Sequence, residues 1–188
     1  MPDYIPSLLL HVCCAPCAAY VFEKLQDEFE ITAFFYNPNI HPLEEYLKRV
    51  AEIKRYCEDN HFDFVEYKYD PQNWFKETAG LENEPEGGKR CRVCFWQRLD
   101  IAANYAHTGA YDFFGTTLTV SRYKNSAEIN KTGQKLAEEY GVRYLDRDFK
   151  KNDGFRHSCE KAKEEGFYRQ HYCGCVYSQK AREKKLQR

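Results

Sequence analysis

The stretch Leu8-Leu9-Leu10-His11-Val12-Cys13-Cys14-Ala15-Pro16-Cys17 constrains this chain more than any other. A short apolar run with the length of a buried strand stops abruptly at three cysteines, and apolar residues then recur at helical spacing through Tyr20, Val21 and Leu25. A strand, a tight loop and a helix form the unit that holds nucleotides in α/β proteins, where ligands sit outside the carboxyl ends of parallel strands. Here the loop offers sulfur in place of glycine. Thiolates bind soft metals and iron–sulfur clusters or exchange electrons, so metal or redox chemistry at a sheet edge is expected. A buried cysteine also packs as a small apolar residue, but packing alone does not call for a Cys-Cys-x-x-Cys group.

The same alternation continues along the chain. A helix is predicted over about 16–28, a strand over 31–36 ending at Asn37-Pro38-Asn39, a helix from Pro42 to about Asn60, and a strand over 62–67. Residues 70–90 read as a short helix and a Pro/Gly-containing loop, of the kind that often carries function. Cys91-Arg92-Val93-Cys94 then opens a helix to about His107, and its N-terminus favours thiolates. A fourth strand over 111–115 leaves through the Thr/Ser-rich segment Thr116–Ser121. A helix over 127–140 closes on Gly141. A short fifth strand (142–145), a helix over about 155–165 and a basic helical tail over about 176–188 complete one domain spanning 1–188. This order implies an α/β fold with a parallel sheet and helices on its faces.

Nine cysteines in 188 residues would suggest a disulfide framework in a secreted chain. The N-terminus has no basic region ahead of an apolar run, which argues against a signal peptide, and no run nears the roughly 18 apolar residues of a membrane span. A cytoplasmic location is therefore expected, where cysteines persist as ligands or catalytic groups. Seven of them form tight groups: Cys13, Cys14 and Cys17; Cys91 and Cys94; Cys173 and Cys175. Cys57 and Cys159 stand alone and read as structural. The net charge of −1 means that any nucleic-acid contact must rest on local patches.

In a doubly wound sheet the exits of strands one and four share an edge, and a helix bearing Cys91 and Cys94 can fold over it. Cys13, Cys14, Cys91 and Cys94 would then supply the four thiolates of a [4Fe–4S] cluster, with tetrahedral zinc as the rival occupant. Cys173-Gly174-Cys175 closes at most a small strained ring, so it reads as a redox dithiol or as ligands to a second metal, crowded by Arg169, His171 and Tyr172. Cys17 is left over and is assigned, with Asp148, to that second site. Ser121-Arg122-Tyr123-Lys124-Asn125 opens a helix and fits either an anion site or an ordinary N-cap. His11 and His41 could be ligands, but single histidines near a core are more often hydrogen-bonded packing, and neither is assigned a role.

Five ordered motifs carry a resemblance: His11–Cys17, Phe35–Ile40, Glu84–Cys94, Thr116–Leu118 and Tyr168–Cys175. From about residue 7 to 178 the chain resembles the epoxyqueuosine reductase QueH family, departing from its pattern at Arg122, where proline is expected. The resemblance implies a Rossmann-like fold similar to the adenine nucleotide α-hydrolase (HUP-like) group, with cysteine-rich loop insertions. It also implies reductive deoxygenation of epoxyqueuosine to queuosine at the tRNA wobble position, without cobalamin. On that basis Cys13, Cys14, Cys91 and Cys94 are expected to ligate a [4Fe–4S] cluster. Cys173 and Cys175 take the redox or second-metal role, and Tyr172 or His171 the role of acid. A mononuclear iron is the expected second metal, Arg122, Lys124 and Arg169 are the expected tRNA contacts, and an electron donor is required as partner. The alternatives are a zinc- or cluster-bearing tRNA-binding module and a simple electron carrier. A nucleotide hydrolase would want a glycine-rich loop after the first strand, and none is present.

Overall fold

A computed structural model describes residues 4–187; Met1–Asp3 and Arg188, the outermost residues of the expected entry segment and basic tail, lie outside it. Five parallel strands, β1 (Ser7–His11), β2 (Glu30–Phe35), β3 (Asp63–Glu66), β4 (Phe113–Thr116) and β5 (Arg143–Tyr144), lie in the order 3-2-1-4-5. The expected α/β fold with a parallel sheet is therefore present. β1 is central, pairing Leu8 with Ile31 on one side and with Phe113 on the other.

Its leucines show why the run has no polar alternation. Leu8 and Leu10 face a core formed with α1 (Ala15–Leu25), α2 (Leu43–Asp59) and α6 (Gly154–Glu164). Leu9 faces a second core with α4 (Lys89–Thr108) and α5 (Ser126–Tyr140). All three are fully buried, as expected for a sheet covered on both faces. Each such side chain contributes on the order of 1.5–3 kcal/mol of transfer free energy.

The helices start and stop where the sequence signals them, within a few residues. Gly141 ends α5 with φ of 67°, a left-handed cap that residues with a Cβ adopt at a cost. β3, β4 and β5 are shorter than their expected ranges. β4 begins only at Phe113, because the Asp112 carboxylate accepts hydrogen bonds from Tyr4, from the Ser7 N–H and from the Ser7 hydroxyl, which holds the entrance of β1. Beyond β4 the Thr-rich segment coils into a 3₁₀ turn over Thr117–Val120, started by a hydrogen bond from the Leu118 N–H to Thr116 Oγ1. The loop before α4 carries α3 (Pro71–Glu77), and α7 (Val176–Leu186) ends the described chain. Among the described residues no helix is long and apolar enough to cross a membrane.

Candidate active site at the switch point of the sheet

After β1 the chain turns one way to β2 and β3, and β4 and β5 lie on the other side. The crevice above β1 and β4 is thus the switch point where α/β sheets bind ligands. Cys13 and Cys14 sit there, nearly buried, with their Sγ atoms 4.0 Å apart. Cys14 is the N-cap of α1, Pro16 sits in the first turn, and Cys17 lies beside Cys14 one turn in.

Two other helices also begin at cysteines. Cys91 lies in the first turn of α4 and accepts a hydrogen bond from the Gly87 N–H at 3.2 Å, with Cys94 one turn later. Cys175 is the N-cap of α7, its sulfur accepting from the Ser178 N–H at 3.4 Å. Helix N-termini carry unpaired N–H groups and partial positive charge, which favours thiolates.

Side chains that the sequence reading did not single out tie these segments together. Asn37, at the exit of β2, donates to the Val12 carbonyl at 2.8 Å, and its Oδ1 faces Arg98 Nη1 at 3.5 Å. Arg98 lies one turn beyond Cys94 and donates from Nε to the Cys94 carbonyl at 3.2 Å. Arg49, only 1% exposed, pairs with Glu45 and donates to the carbonyls of Cys173 (3.1 Å) and Tyr172 (3.3 Å). Arg90 clamps the preceding loop through the carbonyls of Leu81, Glu82 and Glu84. The available signal was a charge on an apolar helix stripe: Arg49 shares a face with Tyr46, Val50 and Ile53, and Arg98 shares one with Cys94, Phe95 and Leu99.

The C-terminal loop fits this frame closely. Gly174 has φ of 127°, and a Cβ there would come within 3.0 Å of Ile40 and 3.3 Å of Arg49. Its carbonyl accepts from the His41 N–H at 2.8 Å, and the Tyr172 hydroxyl donates to the His41 carbonyl. A small cavity of about 20 Å³ lies between the loop and α4, lined by Trp74, Cys91, Cys94, Arg98, Cys173 and Cys175 among others.

Cys13, Cys14, Cys94 and Cys175 are buried and Cys17, Cys91 and Cys173 half-buried, and most of these thiols are held protonated. For Cys13, the contact with Cys14 followed by burial raises the thiol well above its usual range. Cys14 is lowered by Cys13, but contact with Cys17 and burial outweigh that and push it up to about 12. Burial raises Cys91 against the Gly87 N–H, and raises Cys94 against the Arg98 charge. Burial and then Cys173 push Cys175 up to about 12. Lys124 turns toward this group: burial works against its charge, but Cys173 and Cys13 more than offset it and raise the ammonium.

The other expected site residues are placed as follows. Tyr172 is raised to about 12 by burial and then by Glu45, and His171 beside it is exposed. Asp148 lines a broad cleft of about 700 Å³ with Tyr20, Lys24, Arg147 and His157, a cleft that shares no lining residue with the thiol cavity. Its two carboxylate oxygens accept from the Ser126 hydroxyl at 2.8 Å and the Lys150 N–H at 3.1 Å. Arg122 lies on the surface over the rings of Tyr123 and Phe155. Arg169, also exposed, reaches Cys159 Sγ at 3.2 Å. At the start of α5 the Asn125 side chain accepts from the Ala127 and Glu128 N–H groups, so that terminus has its own N-cap. His11, left unassigned by the sequence, is a buried core residue that bridges Thr116 Oγ1 and the Tyr36 carbonyl at 3.0 Å each and is lowered to about 3 chiefly by burial.

Among the described residues no three Cys, His, Asp or Glu side chains close on one point as a single ion requires. A multi-iron cluster is wider than one ion, and the donor set suits it: soft sulfur from two helix N-termini, with unpartnered buried polar atoms around it. Those atoms include Trp74 Nε1, Arg90 Nε, Arg98 Nη2 and Asn39 Oδ1, and all four residues line the thiol cavity.

Fold and site together define a HUP-like α/β protein whose binding crevice is furnished with thiols instead of a phosphate loop. Two solved structures share the fold: a predicted subunit of tRNA methyltransferase from Methanocaldococcus jannaschii (TM-score 0.56, 13% identity, 87% of this chain and 93% of that one) and the U34-tRNA thiolase NcsA from Methanococcus maripaludis with its [4Fe-4S] cluster (TM-score 0.55, 11% identity, 98% and 67%). The family profile described as epoxyqueuosine reductase QueH matches residues 8–181. Proteins of that name are 45% identical in Acinetobacter baylyi (95% of this chain, 83% of the relative) and 36% identical in Thermotoga maritima (92% and 90%). The chain belongs to the epoxyqueuosine reductase QueH family.

Proposed function

We propose that this chain reduces epoxyqueuosine to queuosine at the wobble position of tRNA, as a single catalytic domain acting in the cytoplasm. Family membership supports the reaction class. The observation that carries the chemistry is the meeting of three cysteine-bearing helix starts at the switch point of the sheet. The reaction consumes two electrons and two protons: both C–O bonds of the epoxide break, a C=C bond forms and the oxygen leaves as water. When bound, a [4Fe–4S] cluster on Cys13, Cys14, Cys91 and Cys94 would supply single electrons; the described residues bring no three donors together as the expected mononuclear iron would require, so no step is assigned to it. A low-potential one-electron donor protein is the required partner. Asp148, grouped with Cys17 from the sequence, accepts from the Ser126 hydroxyl at the α5 start and lines a cleft separate from the thiol cavity.

The remaining work falls to the chain's own residues. Tyr172, which precedes Cys173 in the chain, donates its hydroxyl proton to the His41 carbonyl, so supplying one of the two protons requires that bond to open. Arg49, Arg98 and Lys124 offset the negative charge that builds up when several thiols ionise together in a buried site. Outside, Arg122 and the exposed Tyr123 offer charge and an aromatic face to unstacked anticodon bases, with Arg169 as a further phosphate contact.

Protein purified without oxygen is expected to show broad visible absorbance, iron and sulfide, and to convert epoxyqueuosine-containing tRNA when given electrons. Cys14→Ala should lose iron and turnover together. Full turnover in that variant would remove the cluster from the reaction. Stoichiometric zinc without visible absorbance would favour a tRNA-binding module, and a cluster without turnover an electron carrier.

A further inference from the structure

Trp74 is 1% exposed, and its indole N–H faces the Cys94 thiol without meeting any partner at full hydrogen-bonding geometry. A buried unpaired N–H costs on the order of 1–3 kcal/mol. The ring is fixed on three sides, by His41 (5.2 Å between centroids), Phe75 (5.3 Å) and Tyr177 (6.0 Å). Its remaining contacts include Cys94 and Cys175, with which it forms a separate small buried cluster. Arg98 repeats the pattern from α4. It is fully buried, its Nε and Nη1 are engaged, and Nη2 has no partner although it belongs to the same cavity wall.

We infer that Trp74 and Arg98 are positioning residues whose free N–H groups bond to the sulfur atoms of the group held at Cys94 and so raise its reduction potential. This rests on the cluster reading above. The physics concerns charge: adding one electron makes the sulfurs more negative, and an N–H dipole or a guanidinium aimed at them stabilises the reduced state more than the oxidised one. Hydrogen bonds to sulfur and burial are among the main determinants of cluster potentials. A cation in a water-poor site acts more strongly than it would in solvent. The bonds from Arg98 Nε and Nη1 to the Cys94 carbonyl and Asn37 tie α4 in place but leave Nη2 stranded, and an all-carbon ring would fill the Trp74 space without a stranded donor.

The test compares Trp74→Phe, which removes the N–H and keeps a ring, and Arg98→Lys, which keeps a charge and loses the fork. Both are prepared anaerobically beside the wild type, with iron and sulfide counted and the one-electron midpoint read by dithionite titration under visible and paramagnetic resonance detection. Wild-type iron content with a more negative midpoint is expected in both. A tenfold lower reduced-to-oxidised ratio at fixed poise corresponds to about 59 mV, and that is the order of shift expected for Trp74→Phe. An unchanged midpoint in iron-loaded variants would overturn the inference and leave the cluster reading intact. Absence of iron from the wild type would overturn the reading itself. Should Trp74→Phe lose its iron, Arg98→Lys decides; loss in both assigns the pair to holding the fold and overturns the inference.

Discussion

Two loops bring sulfur to this site, and they are built in opposite ways. Cys13 and Cys14 stand on the central strand of a sheet covered on both faces, so their position follows from backbone pairing and a leucine core. Cys173 and Cys175 belong to a loop with no strand beneath it. Its position depends on Arg49, on the His41 backbone and on a glycine that can adopt φ of 127°. The first half of the site is therefore as stable as the domain, whereas the second depends on a few polar contacts.

That contrast can be broken experimentally. Arg49→Met strands Glu45 and releases two carbonyls, and loss of one partner of a buried pair costs about 3–5 kcal/mol. Alkylation of the apo-protein should then accelerate at Cys173 and Cys175 relative to Cys13 and Cys14; equal acceleration at all four would show that the loop and the sheet are one unit. Leu10→Ala should cost about 2–5 kcal/mol in a denaturant titration without changing the relative labelling of the two loops. Gly174→Ala forces a side chain into a positive φ and toward Ile40 and Arg49, at about 1–3 kcal/mol. It should expose the C-terminal thiols while the midpoint of unfolding moves little. The smallest effect is expected at Asp112, lowered to about 2 first by Tyr4 and then by Ser7. A lowered carboxyl contributes fully above its ordinary value near 3.8 and loses that contribution as pH falls through about 2. The stability gap between wild type and Asp112→Asn, read by urea unfolding, should close across that window.

The same contrast explains what the sequence made legible. Strand one, its loop and the helix after it are contiguous, so periodicity and cysteine spacing exposed half of the site directly. The parallel sheet followed from the alternation of apolar runs and helical stripes, and Gly141 marked its helix end. Where the reading differed, side chains had taken over: the Asp112 carboxylate delays β4, and Asn125 caps α5, occupying an end that would also have suited an anion. Arg49, Arg98 and Trp74 were missed because their roles depend on partners far away in sequence. An arginine on an apolar stripe signals a buried charge, but nothing local says that its target is the carbonyl of Cys173.

Three helices starting at one pocket also have a consequence for synthesis. Of the grouped cysteines, Cys13 and Cys14 leave the ribosome first, Cys91 and Cys94 follow, and Cys173 and Cys175 come last, 160 positions after Cys13. At 5–20 residues per second the earliest thiols wait on the order of ten seconds or more for the last ones. During that time they are unshielded by the loop that later covers them, in a chain whose central strand still lacks β4. Iron delivered early would meet half a site with free choice of partners. Delivery after the Cys173–Cys175 loop has docked on Arg49 would meet a single arrangement, so the polar clasp that is the weaker half of the architecture would also time the loading of the stronger.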